Sequence, residues 1–138
     1  MDERLALVPV EWFVAFTPAS RRWFNLLCRP GFKHCLAFRF DRARGTWIWA
    51  ELHSTGMLIE PLHSYELDAR VAAIGQAGGC FLRYRAPSAP RGRSPRLMYC
   101  VPFVAHLLGL PGSALSPYGL YRRLLATGAR PAFESARV

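Results

Sequence analysis

An alternating segment in the first third of the chain limits the fold most strongly, because its pattern is that of a strand in a sheet. Apolar and polar residues alternate from Phe32 to Asp41, and a period of two is typical of a β-strand with one apolar face. The turn Arg42-Ala43-Arg44-Gly45 leads into a second predicted strand from Thr46 to His53. Two such strands joined by a short turn predict a β-hairpin. The apolar face of the first strand carries His34, Leu36, Phe38 and Phe40.

Turn and cap signals divide the rest of the chain into short elements. Further strands are predicted over residues 11–17, 57–60 and 80–85, and helices over 21–27, 65–77, 100–108 and 117–127. Ser64 and Ser116 are the predicted caps of the helices that follow them. Residues 86–96 contain three prolines and a glycine, so we expect an exposed loop there.

The predicted fold class is α+β, with a small antiparallel sheet and helices packed on it. The chain has 138 residues, of which 51% are hydrophobic, and this suits one domain with one sizeable core. We predict that the domain spans residues 1–128 and that residues 129–138 form a loose C-terminal tail.

The sequence shows no sign of export, of a membrane span or of a bound metal. The first ten residues contain acids and a proline, unlike a secretory signal, and no apolar stretch approaches the roughly 18 residues that cross a bilayer. A cytoplasmic protein is therefore expected, unless something carries it out. The four cysteines form no Cys-x-x-Cys pair, so neither a zinc ribbon nor a thioredoxin motif is present. No metal or organic cofactor is expected.

The chain is strongly basic, with a formal net charge of +9. Much of this charge is local, because arginines crowd into one short region at positions 83, 85, 91, 93 and 96. A basic run attracts polyanions, but residues 86–96 contain no aromatic side chain on which a base could stack. Nucleic-acid binding is therefore predicted to be weak and non-specific at most.

Cys100 is the candidate nucleophile. It begins a predicted helix in which Pro102 is acceptable because it falls in the first turn. The partial positive charge at a helix N-terminus lowers the pKa of a cysteine. The free N–H groups of the same turn can bind an oxyanion. The alternative is a small apolar residue that only fills space at the start of the helix.

A thiolate nucleophile needs a base, and the base needs an orienting partner. His34 lies on the apolar face of its strand, where we expect the Cys100 helix to pack and to bring the sulfur to the imidazole. Glu51 and His53 on the neighbouring strand are both candidates for the third residue. A carboxylate also stabilises an imidazolium, which favours Glu51. The alternative for His34 is a core histidine bonded to the backbone.

Three further side chains are candidate substrate contacts. Tyr99 directly precedes Cys100 and could donate to a substrate oxygen. Trp49 could line a groove, with a place in the core as the alternative. Arg96 lies in the loop before the Cys100 helix, where it would border a cleft and attract an acidic substrate.

Three segments resemble the NlpC/P60 superfamily of papain-like cysteine hydrolases. Gly31 to Phe38 resembles its histidine strand, Trp47 to His53 resembles the strand with its third polar residue, and Tyr99 to Val104 resembles its cysteine helix. The histidine precedes the cysteine here, which resembles the order of the circularly permuted branch. The segment from Cys100 to Leu125 also resembles small proteins encoded in bacteriophages and prophages.

The resemblance implies a permuted papain-like architecture and a thiol hydrolase, that is, a cysteine peptidase. Its reaction would cleave an amide bond in a peptidoglycan peptide or an isopeptide, with Cys100, His34 and Glu51 as catalytic residues. Its partners would be that substrate and other phage proteins, and a phage particle would be what carries it out of the cytoplasm. The first alternative is a non-catalytic phage structural or host-interaction protein that keeps the fold. The second is a basic nucleic-acid-binding accessory protein.

Overall fold

The computed structural model describes residues 10–18, 31–53, 56–86, 99–110 and 116–133. The strands in these ranges are β1 (Val10–Thr17), β2 (His34–Asp41), β3 (Thr46–His53), β4 (Gly56–Leu62), β5 (Cys80–Ala86) and β6 (Arg130–Ala132). The helices are α1 (Ser64–Gln76), α2 (Cys100–Leu107) and α3 (Pro117–Ala126). The six strands form one antiparallel sheet in the order β4-β3-β2-β1-β5-β6. The predicted α+β class is confirmed.

The predicted hairpin is formed by β2 and β3, with Phe38 opposite Trp49 in the register. Its turn is closed by Asp41, whose Oδ1 accepts a hydrogen bond from the backbone N–H of Ala43 at 3.1 Å. Gly45 completes the turn with a φ of 66°, a backbone conformation that a residue without a Cβ adopts at little cost.

The two faces of the sheet are covered by different helices. On one face, α2 and α3 pack on a set of buried residues from β1, β2, β3 and β5. On the other face, Leu67 and Val71 of α1 pack on Leu36 and Phe38 of β2 and on Trp49 of β3. The sheet is therefore the central layer of the fold. Residues of either parity in β2 are buried because helices cover both faces.

The predicted loose tail is wrong for the residues that follow α3. Gly128, with a φ of 103°, turns the chain back, and β6 pairs with the edge of the sheet so that Pro131 lies opposite Leu82 of β5. Ala129 is buried. Proline is compatible with an edge strand because its missing N–H costs no hydrogen bond on the open side. Residues 134–138 lie outside the described residues.

Two boundaries differ from those predicted. The strand predicted over 57–60 runs from Gly56 to Leu62 and passes through Pro61, which is again on an edge strand. The N-cap of α1 is His63 and not Ser64, and the backbone N–H of His63 donates to Oε1 of Glu66 at 3.2 Å. The helix predicted over 21–27 and nearly all of the loop predicted over 86–96 lie outside the described residues.

No helix within the described ranges is both long enough and apolar enough to cross a membrane.

Candidate active site

Neighbouring strands bring His34 and Glu51 together at one end of the sheet. His34 is the first residue of β2, and Glu51 lies near the end of the antiparallel strand β3. Both residues lie on the α1 side of the sheet, in the same alternation set as the cross-strand pair Phe38 and Trp49. Nε2 of His34 lies 2.9 Å from Oε2 of Glu51. Their side chains are 18% and 15% exposed, so water screens this contact only in part.

Cys100 reaches the same place from the start of α2. Tyr99 is the N-cap, with an extended backbone, and Cys100 is the first helical residue. Val101 and Val104 are fully buried in the core that α2 shares with β2, which fixes how the helix lies on the strand. The partly buried thiol of Cys100 is hydrogen-bonded to His34.

The helix that carries Cys100 packs on the face of the sheet opposite to the one predicted. We expected it on the face of His34, but α1 covers that face, and α2 packs on the alternate residues Cys35 and Ala37. Cys100 nonetheless contacts His34, because His34 is the first residue of β2 and lies at the end of the strand, within reach of both faces of the sheet. The opposite face gives Cys100 a second neighbour in Cys35.

Cys35 is a contact of Cys100 that the sequence analysis does not predict. Its side chain and its backbone both hydrogen-bond to Cys100, and it is fully buried. In the sequence Cys35 lies within an apolar segment, where a free cysteine behaves as a small hydrophobe. The sequence did contain a signal for this contact, because Cys35 directly follows the candidate base. Adjacent strand residues point to opposite faces of the sheet, so a helix that packs on the face opposite to His34 meets Cys35.

The contacts of Cys100 and His34 favour a charged pair. Hydrogen bonding from the Cys35 side chain, followed by the hydrogen bond and positive charge of His34, outweighs burial and lowers the pKa of Cys100 to about 5. Burial by itself would lower the pKa of His34, but its hydrogen bonds to Cys100 and Glu51 and their negative charges raise that pKa to about 9. Both shifts favour a thiolate and an imidazolium at neutral pH.

Glu51 is the centre of a small network of donors. Besides His34, the indole Nε1–H of Trp49 donates to Oε1 of Glu51 at 3.1 Å, and Nε2 of His53 lies 3.5 Å from the same oxygen. Burial raises the pKa of Glu51, but these donors and the positive charge of His34 outweigh it, so the net shift is downward. Of the two candidates for the third residue, Glu51 contacts His34, whereas His53 contacts Glu51.

The start of α2 also supplies backbone donors. The first N–H groups of a helix have no intrahelical partner, and here they belong to Cys100 and Val101, because Pro102 has none. Both lie beside the sulfur along the chain. Such N–H groups can donate hydrogen bonds to the oxygen of a carbonyl that Cys100 attacks.

The candidate substrate contacts and the arginines of the basic region lie in different places. Tyr99 is partly buried and packs against the core below α2. Trp49 is 3% exposed, so it is a core residue that contacts Glu51 and does not line an open groove. Arg96 lies outside the described residues, as do Arg91 and Arg93, whereas Arg83 and Arg85 are exposed on β5. Among the described residues, no group of three or more His, Cys, Asp or Glu side chains is arranged to hold a metal ion.

Comparison with known proteins gives no match, whether to a family model, to a curated protein or to a solved structure.

Proposed function

We propose that this protein is a thiol hydrolase that cleaves an amide bond with Cys100 as nucleophile, His34 as acid and base, and Glu51 as the group that orients His34. The observation that carries the proposal is the continuous chain of contacts from Cys100 to His34 and from His34 to Glu51. A nucleophile, a base and an orienting acceptor in that order are the components of cysteine and serine hydrolases.

The chemistry follows from the charges of the pair. The Cys100 thiolate attacks the carbonyl carbon of the amide, and the oxyanion is stabilised by the N–H groups at the start of α2. The His34 imidazolium then donates its proton to the amide nitrogen, so the C–N bond breaks, an amine leaves and a thioester remains. Neutral His34 takes a proton from water, which attacks the thioester and releases a carboxylic acid and the Cys100 thiolate.

The substrate class and the finer architecture rest on the resemblance. The histidine strand precedes the cysteine helix in the chain, which is the order of the circularly permuted papain-like hydrolases, and we propose that architecture for this fold. The amide would then belong to a peptidoglycan peptide or an isopeptide in a phage-associated setting. A non-catalytic phage protein with the same fold would have no need of an activated thiol, so the reactivity of Cys100 separates the two functions.

The test is the pH dependence of Cys100 alkylation by iodoacetamide, followed residue by residue by mass spectrometry. We expect Cys100 to react ahead of Cys35 and Cys80, because both are buried, and ahead of Cys28, which lies outside the described residues, because its pKa is lowered. We expect its rate to be half-maximal near pH 5, whereas an ordinary thiol has a pKa of about 8.5. The substitution His34→Ala should move the half-maximum towards that ordinary value.

His63→Ala is the matched control, because His63 is an exposed histidine at the start of α1. It should leave the profile unchanged. An unreactive Cys100, or a profile that His34→Ala does not alter, would favour the non-catalytic alternative.

A further inference from the structure

The two oxygens of the Glu51 carboxylate have different partners. Oε2 lies 2.9 Å from Nε2 of His34, and Oε1 accepts the indole N–H of Trp49 at 3.1 Å. A carboxylate bonded through one oxygen only can rotate about its terminal bond, since that torsion is broad. A donor fixed on Oε1 therefore determines where Oε2 points.

The side chain of Trp49 is fixed by contacts with β2 and α1. Its ring stacks on Phe38, with centroids 5.4 Å apart and an interplanar angle of 11°. The guanidinium of Arg70, a residue of α1, lies 4.9 Å from the centroid of the Trp49 ring. Arg70 also forms an ion pair with Glu60, which is the cross-strand neighbour of Trp49 on β4. The indole N–H is thus presented to Glu51 by a helix and two adjacent strands.

We propose that Trp49 is a positioning residue, which acts through Glu51 to hold the imidazole of His34 in the orientation that Cys100 requires. This inference rests on the proposed function. If the indole N–H were lost, the described partner left for Oε1 would be His53, which is 46% exposed and 3.5 Å away. An exposed contact of that length orients a carboxylate far less well than a buried hydrogen bond does.

The test compares Trp49→Phe with Trp47→Phe. Trp47 is two residues earlier on the same face of β3 and makes ring contacts with Phe13 and Phe40, so its replacement perturbs the same aromatic cluster. In Trp49→Phe we expect Cys100 alkylation at pH 6 to slow roughly three- to tenfold, the range for loss of one ordinary hydrogen bond, because Trp49 acts on Cys100 only through Glu51 and His34. The half-maximum of the pH profile should also rise. Trp47→Phe should keep the wild-type profile.

A second measurement needs no substitution at Trp49. In ¹⁵N-labelled protein, the indole N–H signal of Trp49 should move when Glu51→Gln removes the charge from its acceptor, and the signal of Trp47 should stay in place. This measurement tests the inference even if the Trp49→Phe variant does not fold.

The outcomes separate this inference from the proposed function. If His34→Ala abolishes the enhanced reactivity of Cys100 but Trp49→Phe and Trp47→Phe have equal profiles, Trp49 is a core residue only and the inference is wrong. The inference is also wrong if the indole N–H signal of Trp49 does not shift in Glu51→Gln. If His34→Ala changes nothing, the proposed function is wrong, and the positioning role of Trp49 falls with it.

Discussion

At the scale of single residues, the site depends on how a few polar groups share a partly buried space. Cys100 has two hydrogen-bonding neighbours, Cys35 and His34, and His34 has a carboxylate on its other side. Burial alone disfavours charge on any of them, but each charged group here is matched by a donor or by an opposite charge. The three groups therefore support one another's ionised forms, and changing one should alter the other two.

The contacts of Glu51 and His53 predict different consequences for similar changes. Glu51→Gln removes the negative charge beside His34, so the pKa of His34 should fall and the proposed amide hydrolysis should slow by roughly 10²- to 10⁴-fold, the scale of a misplaced acid–base group. His53→Gln should have less than about a tenfold effect, because His53 is exposed and touches only the far oxygen of Glu51.

The measurement is the release of new amino groups from peptidoglycan fragments by the two variants and by wild-type protein, with Cys100→Ala as the inactive reference. Equal losses in Glu51→Gln and His53→Gln would contradict the assignment of Glu51 as the orienting residue.

At the scale of elements, α2 is held by packing rather than by its own stability. It has only eight residues, and a helix of that length is marginal in isolation. Val101, Phe103 and Val104 are buried on the sheet, and α3 packs beside it through Leu120 and Leu124. The position of the Cys100 sulfur therefore depends on the neighbours of α2 as much as on its sequence.

Two serines at helix starts provide an element-scale prediction. Oγ of Ser116 accepts the backbone N–H of Gly119 at 3.0 Å and caps α3, so Ser116→Ala should lower the free energy of unfolding by about 1 kcal/mol. Ser64 is exposed and follows the true N-cap, His63, so Ser64→Ala should be nearly neutral. Urea denaturation followed by circular dichroism measures both. A larger loss for Ser64→Ala would mean that the cap of α1 is misplaced.

At the scale of the whole molecule, the charged pair couples folding to pH. In the folded protein the pKa of Cys100 is lowered from 9.0 to about 5. Its stabilising contribution is therefore complete above pH 9 and lost as the pH falls through 5. The pKa of His34 is raised from 6.5 to about 9, so its contribution is complete below pH 6.5 and lost as the pH rises through 9. The two dependences oppose each other between pH 6.5 and 9.

We therefore expect the free energy of unfolding to change little from pH 6.5 to 9 on account of this pair, and to fall between pH 6.5 and 5. Cys100→Ala removes the thiol, so its stability should fall less over that acidic interval than that of the wild type. Urea unfolding of both proteins at pH 5, 6.5 and 8 measures the difference. Parallel curves over the three pH values would show that Cys100 is not ionised in the folded protein.

Much of the local structure was predictable because it depends on neighbours along the chain. The alternation of β2 and β3, the Ser116-Pro117 start of α3 and the helical start at Cys100 were all predicted, and the structure confirms them. The tail was not, because the pairing of β6 depends on the open edge of β5, which lies far away in sequence.

The sequence by itself determined which residues of each strand share a face, and the register of the β2–β3 hairpin then placed Glu51 and His34 on one side of the sheet. Period-two alternation is a property of the extended backbone and needs no tertiary information. Only the tertiary structure decided which helix covers which face. The second face of β2 carries the small apolar residues Cys35 and Ala37 beside the charged Arg39 and Asp41, so the sequence alone did not show that a helix would cover it. That choice placed α1 over Trp49, and it placed α2 over Cys35 with Cys100 between two hydrogen-bonding neighbours.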